Sequence, residues 1–475
     1  MCGDYTSGDL ERLPPAVYSP DRESKETGLR RWSWTRRLLL LLAFLPLTIR
    51  CLLVRGFVAP IRITGASMAG TLHGQHLRID CDDCLMQYAC GLRHRGESGH
   101  TTCPNCGYDQ NSSREALCQG DRVLIDQWYG MWQQPARWDL VALPSPDGSS
   151  AMIVKRLIGM PGEQIAIQHG DVYVNGRLLR KPLGVLREMA ILVHDDRYQP
   201  RLQPRLPRRW RAERNASGWQ GVAGGYRFDD RSSPTSTDPS ARPTVEWLTY
   251  RHWLCFPKAV PPAPRGEEIG VLDSLGYNQQ APRSRLNAVT DLMFSTRVTI
   301  DGMGQLSFRV ADGATWYIAE LSWPSGDWQL WRDSDRVLTV SPQFSRNVER
   351  LDIEYGLYDR MIVLTVNGRL LFEHQLRPDL DPSEHVPTSR LSIGAAGICA
   401  DVSGLRVFRD VHFLAPGPPW SYWCTSHPLA ADQFLLLGDN AAVSTDSRHW
   451  VSAGVASNSI TGRVIRWPNL FTASR

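Results

Sequence analysis

The segment AMIVKRLIGMPGE, residues 151–163, indicates the fold type more clearly than any other part of the chain. Its apolar residues, several of them β-branched, run up to a Pro-Gly pair, which predicts a buried strand closed by a turn. Lys155 and Arg156 interrupt this apolar run. Because a buried charge is costly unless it is paired or neutralised, both side chains need an explanation.

Lys155 is a candidate general base. Burial favours the neutral form of an amine, and a neutral amine can accept the proton of a serine hydroxyl. The alternative is a lysine on the solvent face of an edge strand, with Arg156 directed to the other face. The strand alone leaves both interpretations open.

Segments of similar character lie on both sides of this strand. They alternate between apolar and polar residues or form short apolar runs, and GDVYVNGRLL carries the Asn-Gly pair typical of a tight hairpin. The others are VAPIRITG, GDRVLIDQW, RWDLVALPSP and DQFLLLGDN. Together they predict a compact antiparallel β domain.

A serine nucleophile would complete a catalytic site, and GASMAGTLHG, residues 65–74, offers Ser67. A lone serine after glycine and alanine most often only ends a turn, so its role depends on a base elsewhere in the chain. His73 and His76 follow too closely to fold back onto Ser67 easily. Lys155 is therefore the base that the sequence offers.

Length and composition are those of a folded protein with several domains. The chain has 475 residues, of which 42% are hydrophobic and 21% charged, which excludes wholesale disorder. The net charge of only +4 argues against a general nucleic-acid-binding protein.

The stretch LLLLLAFLPLTIRCLLV, residues 38–54, has the length of a minimal membrane-spanning helix. Arg50, near its far end, can extend its charge toward the lipid headgroups. No small-residue cleavage pattern follows promptly, which favours an uncleaved anchor over a removed signal peptide. A buried core helix and an interfacial helix are the alternatives, and arginines at both ends favour a cytoplasmic N-terminus only weakly.

Two Cys-x-x-Cys pairs, CDDC and CPNCGY, lie between residues 73 and 118. Their spacing is typical of a zinc ribbon, in which four thiolates bind the metal tetrahedrally. Two disulfides or a redox pair are the alternatives. The predicted ligands are Cys81, Cys84, Cys103 and Cys106. Cys90 and Cys118 remain as spare thiols or a further disulfide.

A large insertion runs from about Leu183 to Pro419. It begins with RYQPRLQPRLPRRWRAER, which predicts a solvated linker or a contact with anionic lipid. Short alternating strands with Gly and Asp turns follow and resemble laminin-G or concanavalin-like β-sandwiches. Sugar binding and a spacer or docking role are both open, since fold does not imply function. The tryptophans that fit a core better than a binding platform are Trp316, Trp323, Trp328 and Trp331.

Five blocks in this order resemble the bacterial type I signal peptidases, membrane-bound peptidases with a Ser-Lys dyad. The blocks are GASMAGTL, GDRVLIDQW, RWDLVAL, VKRLIGMPGE and FLLLGDNAAVSTDSRHW. The resemblance covers roughly residues 36–72, 119–183 and 430–468.

The resemblance implies that Ser67 is the nucleophile and Lys155 the general base, with no cofactor for catalysis. It also implies that Ser444 orients the lysine amine and that the Ser67 backbone N–H belongs to the oxyanion hole. Two structural ion pairs are implied as well: Asp446 with Arg448, and Asp439 with Arg156.

Two positions depart from the family pattern. Gly70 stands where the family usually has proline, which we expect to loosen the turn behind the nucleophile. Gly65 stands where some members place a hydroxyl that helps to bind the oxyanion. Neither change removes a group that hydrolysis requires.

We therefore expect a mainly β fold with seven parts. These are a polar tail (1–37), a transmembrane anchor (38–56), three pieces of a catalytic core (57–72, 119–183 and 420–475), a zinc ribbon (73–118) and a linker with a β-sandwich (184–419). Because the two inserts enter at turns, we expect the core to fold without residues 190–415.

The resemblance implies partners and a location. The substrates would be signal peptides of exported preproteins, with small residues before the scissile bond, and no nucleic acid is expected. The other partners would be the lipid bilayer and the secretion translocon. The chain would be a single-pass protein of the cytoplasmic membrane, with its catalytic domain on the outer, periplasmic side.

Two other functions are open. A self-cleaving repressor shares the Ser-Lys chemistry, although the anchor and the DSRHW element disfavour it. A cleavage-inactive binding or assembly protein would use the ribbon and sandwich instead, although an intact set of Ser67, Lys155 and Ser444 argues against loss of activity.

Overall fold

Strands dominate the structure, as the sequence predicts. The protein is seen in a computed structural model that describes residues 34, 36–48, 58–92, 99–112, 116–129, 134–146, 151–202, 206–229, 244–255, 266–279, 286–341, 350–376, 388–417 and 422–465. The chain divides into two units, Met1–Ala59 and Pro60–Arg475.

The first unit contains helix α1, which covers residues 36–48 and exposes its side chains. Of the helices in the described part of the chain, none is both long and apolar enough to cross a membrane. Residues 49–56, the remainder of the predicted anchor, lie outside the described residues.

The strands and the second helix follow in chain order. Up to the large insertion they are β1 (Val58–Arg62), β2 (His76–Asp80), β3 (Gln87–Gly91), β4 (His100–Thr102), β5 (Asp109–Asn111), β6 (Leu117–Cys118), β7 (Arg122–Asp126), β8 (Leu140–Pro144), β9 (Met152–Gly159), β10 (Ile165–Gln168), β11 (Asp171–Val174), β12 (Arg177–Leu178) and α2 (Leu183–Met189).

Later elements complete the fold. They are β13 (Ile191–Asp195), β14 (Trp210–Ala212), β15 (Trp219–Val222), β16 (Gly225–Asp229), β17 (Glu246–Tyr250), a 3-10 helix (Gly276–Asn278), β18 (Leu292–Asp312), β19 (Thr315–Trp323), β20 (Asp327–Arg332), β21 (Asp335–Val340), β22 (Arg350–Tyr358), β23 (Met361–Val366), β24 (Arg369–Gln375), β25 (Leu391–Arg409), β26 (Tyr422–Cys424), β27 (Gln433–Leu437), β28 (Val455–Ala456), a 3-10 helix (Ser457–Ser459) and β29 (Gly462–Ile465).

The strand that carries Lys155 lies inside a seven-stranded sheet with the order β1-β7-β29-β8-β9-β27-β28. Strand β9 pairs with β8 on one side and with β27 on the other. Lys155 is only 2% exposed. The interpretation of Lys155 as a solvent-facing residue of an edge strand is therefore wrong.

A smaller sheet with the order β12-β11-β10-β26 covers one side of this core. Its hairpin between β11 and β12 turns at Asn175 and Gly176, which both have positive φ angles. This is the conformation that an Asn-Gly pair adopts without strain, and the predicted hairpin is confirmed.

The four-cysteine segment, residues 73–121, forms its own small sheet, β3-β2-β6, and a hairpin of β4 and β5. Its two ends, His73 and Asp121, lie side by side and form what we call the neck of the segment. The Asp121 backbone N–H donates to His73 O at 2.9 Å. The His73 backbone N–H donates to the Asp121 carboxylate at 2.7 Å. The segment therefore starts and ends at one point beside the seven-stranded sheet, directly after the Ser67 turn.

The large insertion contains a 13-stranded sheet built around two long strands, β18 and β25. Their pairing register shifts between Gly302 and Gln305, so that the two halves of each strand pair with different neighbours. On one side of the shift, β18 pairs with β19 and β25 pairs with β17. On the other side, β18 pairs with β22 and β25 pairs with β16. Apolar side chains from both halves share one hydrophobic cluster, which includes Trp328.

The arginine-rich passage that opens the insertion is not a solvated linker throughout. Arg209 is only 2% exposed, and the neighbouring Trp210 belongs to the hydrophobic cluster of the large sheet. The Arg209 guanidinium lies over the Trp253 ring, 3.8 Å from its centroid. Burial is accommodated because the cation stacks on an aromatic face and donates hydrogen bonds to its neighbours, including one to His252 at 3.0 Å.

Two residues of the predicted insertion, which ends at residue 419, belong to the hydrophobic core of the seven-stranded sheet. Val411 and Phe413 belong to the same hydrophobic cluster as Ile158 and Leu435 of the catalytic sheet. An excision of residues 190–415 would thus remove side chains from the core itself.

A buried charge cluster also joins the two regions. The Lys181 ammonium lies 2.6 Å from the Asp359 carboxylate and 2.7 Å from that of Asp410. Asp171 lies beside them and Asp291 completes the cluster, so that carboxyl groups outnumber the ammonium. Burial, together with the charges of Asp359 and Asp410, raises the pKa of Asp171 to about 7, although the Lys181 charge opposes the rise.

We predict that this cluster makes stability depend on pH. A carboxyl with a raised pKa keeps its proton in the folded state where the unfolded chain has lost it, so stability falls as the pH rises from about 4 to about 7. Asp171→Asn removes this loss, and its melting temperature should exceed that of the wild type by roughly 3 °C at pH 8, with a much smaller difference at pH 4. Asp401→Asn, at an exposed ion pair, is the control. Equal differences at both pH values would contradict the prediction.

Candidate active site

Ser67 and Lys155 line one cleft, with a volume of about 1230 Å³. The turn that carries Ser67 is fixed by Met68 and Leu72, whose side chains are buried in the cluster under β7 and β8. The Ser67 side chain is half-buried. The structure thus brings the two predicted catalytic residues to the same cavity although they are far apart in sequence.

A chain of hydrogen bonds leads away from the lysine. The Lys155 ammonium nitrogen Nζ lies 3.0 Å from Ser444 Oγ. The Ser444 hydroxyl in turn donates to the Asp446 carboxylate at 2.7 Å. With its own proton committed to Asp446, the Ser444 oxygen is available as an acceptor toward Lys155, which fixes the position of the amine.

Asp446 is fully buried and bound by Arg448. Two guanidinium nitrogens of Arg448 donate to the two carboxylate oxygens, at 2.8 and 2.7 Å. Burial opposes ionisation of Asp446, but the hydrogen bonds from Arg448 and His449 and the Arg448 charge hold the pKa of this carboxyl far below its usual value. Asp446 therefore stays an anion that accepts hydrogen bonds, and it fixes the Ser444 hydroxyl.

Arg156 forms the second predicted pair. Its guanidinium donates to both oxygens of Asp439, at 2.8 and 2.7 Å. It also donates to Glu188 at 2.9 Å and to the carbonyl oxygen of Trp138 at 2.9 Å. Glu188 was not predicted, because no motif marks this residue of helix α2.

Gly438 lies at the centre of the site. Its backbone N–H donates to Asp446 at 2.9 Å. A side-chain carbon at this position would overlap both Ser444 Oγ and the carbonyl oxygen of Ser67. The site therefore needs glycine here, since only glycine lets the Ser67 turn and the Ser444 loop approach so closely.

Asn440 holds the Ser67 turn from the same loop. Its backbone N–H donates to Ser67 O at 3.0 Å, and its side-chain amide donates to Ala66 O at 2.9 Å. Gly70 has a φ of +96°, a conformation closed to the proline that the family pattern has at this position. The Ser67 turn therefore has a backbone conformation that proline could not adopt, and hydrogen bonds from Asn440 hold it in place.

The four predicted metal ligands lie together. Their sulfur atoms are all within 4.8 Å of one another, with Cys81 and Cys106 at 3.5 Å and Cys84 and Cys103 at 3.7 Å. A Zn–S bond of about 2.3 Å places tetrahedral sulfur atoms roughly 3.8 Å apart. The four side chains are buried, and none is in a disulfide. The arrangement fits a zinc ion.

The backbone around the cysteines supports this fit. After each pair the chain turns back through a residue with positive φ, Leu85 in the first turn and Gly107 in the second. The Leu85 and Gly107 backbone N–H groups donate to the carbonyl oxygens of Cys81 and Cys103, each at 2.9 Å. Cys90 and Cys118 are free thiols outside the cluster.

Comparison with known proteins supports a peptidase. Residues 101–209 match the family described as "Signal peptidase, peptidase S26". This range contains Lys155 and Arg156, whereas Ser67 and Ser444 lie outside it.

Two curated relatives agree with the family match. The chain is 33% identical over 78 residues to a probable signal peptidase I-2 from Synechocystis sp., a match that covers 15% of this chain and 36% of the relative. It is 31% identical over 64 residues to signal peptidase I V from Bacillus subtilis, covering 14% of this chain and 37% of the relative. The chain thus spans little more than a third of the length of either relative.

Solved structures resemble parts of the chain only distantly. A carbohydrate-binding module from Bacillus subtilis matches 42% of this chain and 93% of its own length, with 9% identity and a TM-score of 0.25. An alginate lyase from Corynebacterium sp. matches 52% of this chain and 95% of its own length, with 10% identity and a TM-score of 0.27. Likenesses this weak carry no conclusion. The sequence matches show more: residues 101–209, which include Lys155, are similar to the signal peptidase S26 family, and shorter stretches of the chain are similar to two signal peptidases I.

Proposed function

We propose that the protein is a serine endopeptidase that removes signal peptides, with Ser67 as nucleophile and Lys155 as general base. The observation that carries the proposal is the position of Lys155. Its amine is buried on a central strand, 3.0 Å from Ser444 Oγ, in the cleft that Ser67 also lines. A lysine in this environment is suited to proton transfer rather than to surface charge.

The proposed reaction has two halves. The neutral Lys155 amine takes the Ser67 hydroxyl proton as Oγ attacks the scissile carbonyl carbon. The tetrahedral intermediate collapses to an acyl-enzyme as Lys155 returns the proton to the leaving amine. Lys155 then takes a proton from water, which attacks the ester, and Ser67 Oγ leaves with that proton. The Ser67 backbone N–H is the proposed oxyanion donor.

Ser444 has a separate role. Because Asp446 accepts the Ser444 proton, the Ser444 oxygen faces the lysine amine and holds it in one orientation. The Asp446–Arg448 and Arg156–Asp439 pairs fix the loop and strand that carry these groups. A general base held in this way needs little rearrangement when the substrate arrives.

The substrate and setting follow from the relationship to the type I signal peptidases. We propose that the substrates are exported preproteins with small residues before the scissile bond. The residue 38–56 segment would anchor the chain in the cytoplasmic membrane, with the cleft on the outer side and the secretion translocon as a partner.

The inserts have structural roles in this proposal. The four cysteines bind one structural zinc ion, and catalysis itself uses no cofactor. The large sheet is a β-sandwich that packs against the catalytic core.

A direct assay tests the function. Purified full-length chain in detergent should convert a preprotein to its mature form, and N-terminal sequencing should place the cut after a small residue. The Ser67→Ala protein, matched in amount, should leave the preprotein intact. A cut at an unrelated site, or equal conversion by Ser67→Ala, would contradict the proposal.

A further inference from the structure

A short piece of the large insertion reaches into the peptidase cleft. It is the segment LGYNQ, residues 275–279, which includes the 3-10 helix Gly276–Asn278; we call it the bridge segment. Its consecutive side chains Tyr277, Asn278 and Gln279 contact the Ser67 turn, Asn440 and the four-cysteine segment, respectively. None of these contacts follows from the peptidase motifs.

Asn278 binds the residue that holds the Ser67 turn. The Asn278 amide nitrogen donates to Asn440 Oδ1 at 2.7 Å, and the Asn440 amide nitrogen donates back to Asn278 Oδ1 at 2.8 Å. The same Asn440 nitrogen donates to Ala66 O. With both ends of its amide bound, Asn440 has one orientation, and it holds the carbonyl oxygens of both Ala66 and Ser67.

Tyr277 fixes the bridge segment against the Ser67 turn. Its ring packs on Ala66 and Ala69, and its hydroxyl donates to Gln75 O at 3.0 Å. The side chain is 5% exposed, and its ring lies so close to Gly91 that a side-chain carbon there would overlap it. Burial raises the pKa of Tyr277 to about 12, so the hydroxyl remains a donor at neutral pH.

Gln279 ties the other end of the bridge segment to the four-cysteine segment. Its side-chain oxygen accepts from the Thr102 backbone N–H at 2.7 Å, and its side-chain nitrogen donates to Thr102 O at 2.8 Å. Thr102 directly precedes Cys103 in the chain. The bridge segment therefore connects a predicted zinc ligand to the loop that holds the nucleophile.

We propose that Asn278 is a positioning residue for the peptidase reaction: through Asn440 it fixes the turn that presents Ser67. This inference rests on the function proposed above. It gives the large insertion an indirect part in catalysis, since the insertion supplies the side chain that binds Asn440. Asn278 acts through Asn440, so its loss should slow the chemical step more than it weakens substrate binding.

The test compares Asn278→Ala with Asn287→Ala in the full-length protein. Asn287 lies in the same insertion and pairs with Asp273. Using a short peptide substrate, we expect Asn278→Ala to lower kcat roughly tenfold, because the buried Asn440 amide is left without its partner, with KM within about twofold of the wild type. Asn287→Ala should keep the wild-type kcat.

A double-mutant cycle distinguishes positioning from general destabilisation. If Asn278 acts through Asn440, Asn278→Ala combined with Asn440→Ala should be no slower than Asn440→Ala alone. An unchanged kcat in Asn278→Ala, or losses that simply multiply in the double variant, would overturn the inference while leaving the proposed function standing. A wild-type protein that cleaves no preprotein would instead overturn the proposed function, and this inference with it.

Discussion

Ser67→Ala should reduce the turnover of a preprotein by roughly 10⁴-fold or more, and Lys155→Ala should do the same. Ser67 supplies the atom that attacks, and Lys155 supplies the group that removes its proton, so neither works without the other. The double variant should therefore be no slower than either single variant. Initial rates measured by gel conversion over a wide range of enzyme concentration give these ratios.

Two further variants make this result specific. Lys155→Arg keeps a long basic side chain, but its guanidinium stays protonated near neutral pH and cannot act as a base, so this variant should be as inactive as Lys155→Ala. Ser341→Ala, at an exposed serine of the large insertion that donates to Asp327, should behave as the wild type. Substantial turnover by Lys155→Arg would remove Lys155 from the role of base.

Loss of the predicted zinc ion should have the second-largest effect. Metal analysis should find about one zinc ion per chain, lost in Cys103→Ser, and the four-cysteine segment should then unfold locally, since the four ligands belong to its small hydrophobic cluster. Its neck at His73 and Asp121 adjoins the Ser67 turn, and Gln279 joins it to Asn278. We therefore expect preprotein cleavage to fall at least about tenfold as well.

The matched control for the zinc prediction is Cys118→Ser. Cys118 is a free thiol of the same segment, outside the four-sulfur cluster. It should retain both the metal and the activity. Proteolysis followed by mass spectrometry reports the local unfolding in Cys103→Ser. Intact disulfides within the two cysteine pairs of the wild type would contradict the zinc assignment.

Much of the site could be predicted because its residues lie in short motifs on regular strands. The apolar pattern around Lys155 predicted a buried strand, and the structure places that strand in the middle of a sheet. Ser444 and Asp446 follow the FLLLGDN strand in one loop, so the motif also fixed their spacing. The two cysteine pairs were visible for the same reason, since each metal-binding turn is encoded by a few consecutive residues.

The contacts made by the insertion could not be predicted in this way. Asn278 and Asn440 are brought together by the folding of the whole insertion, and no local sequence pattern indicates that these two residues are in contact. Arg209 lies in a passage whose composition suggests solvent exposure, yet stacking on Trp253 allows its burial. Val411 and Phe413 likewise join the core from a part of the chain assigned to the insertion. The periodicity of apolar residues and the spacing of motifs do not indicate how side chains from distant segments pack together.

The central claim is that Ser67 forms a covalent bond to the substrate, and trapping the acyl-enzyme tests it most directly. The full-length protein would be mixed with excess peptide substrate, quenched in acid after milliseconds and analysed by intact mass and peptide mapping. The account predicts a mass increase equal to the acyl part of the substrate, located on the peptide that contains Ser67 and absent from Ser67→Ala. Rapid cleavage with the acyl group on another residue would contradict it.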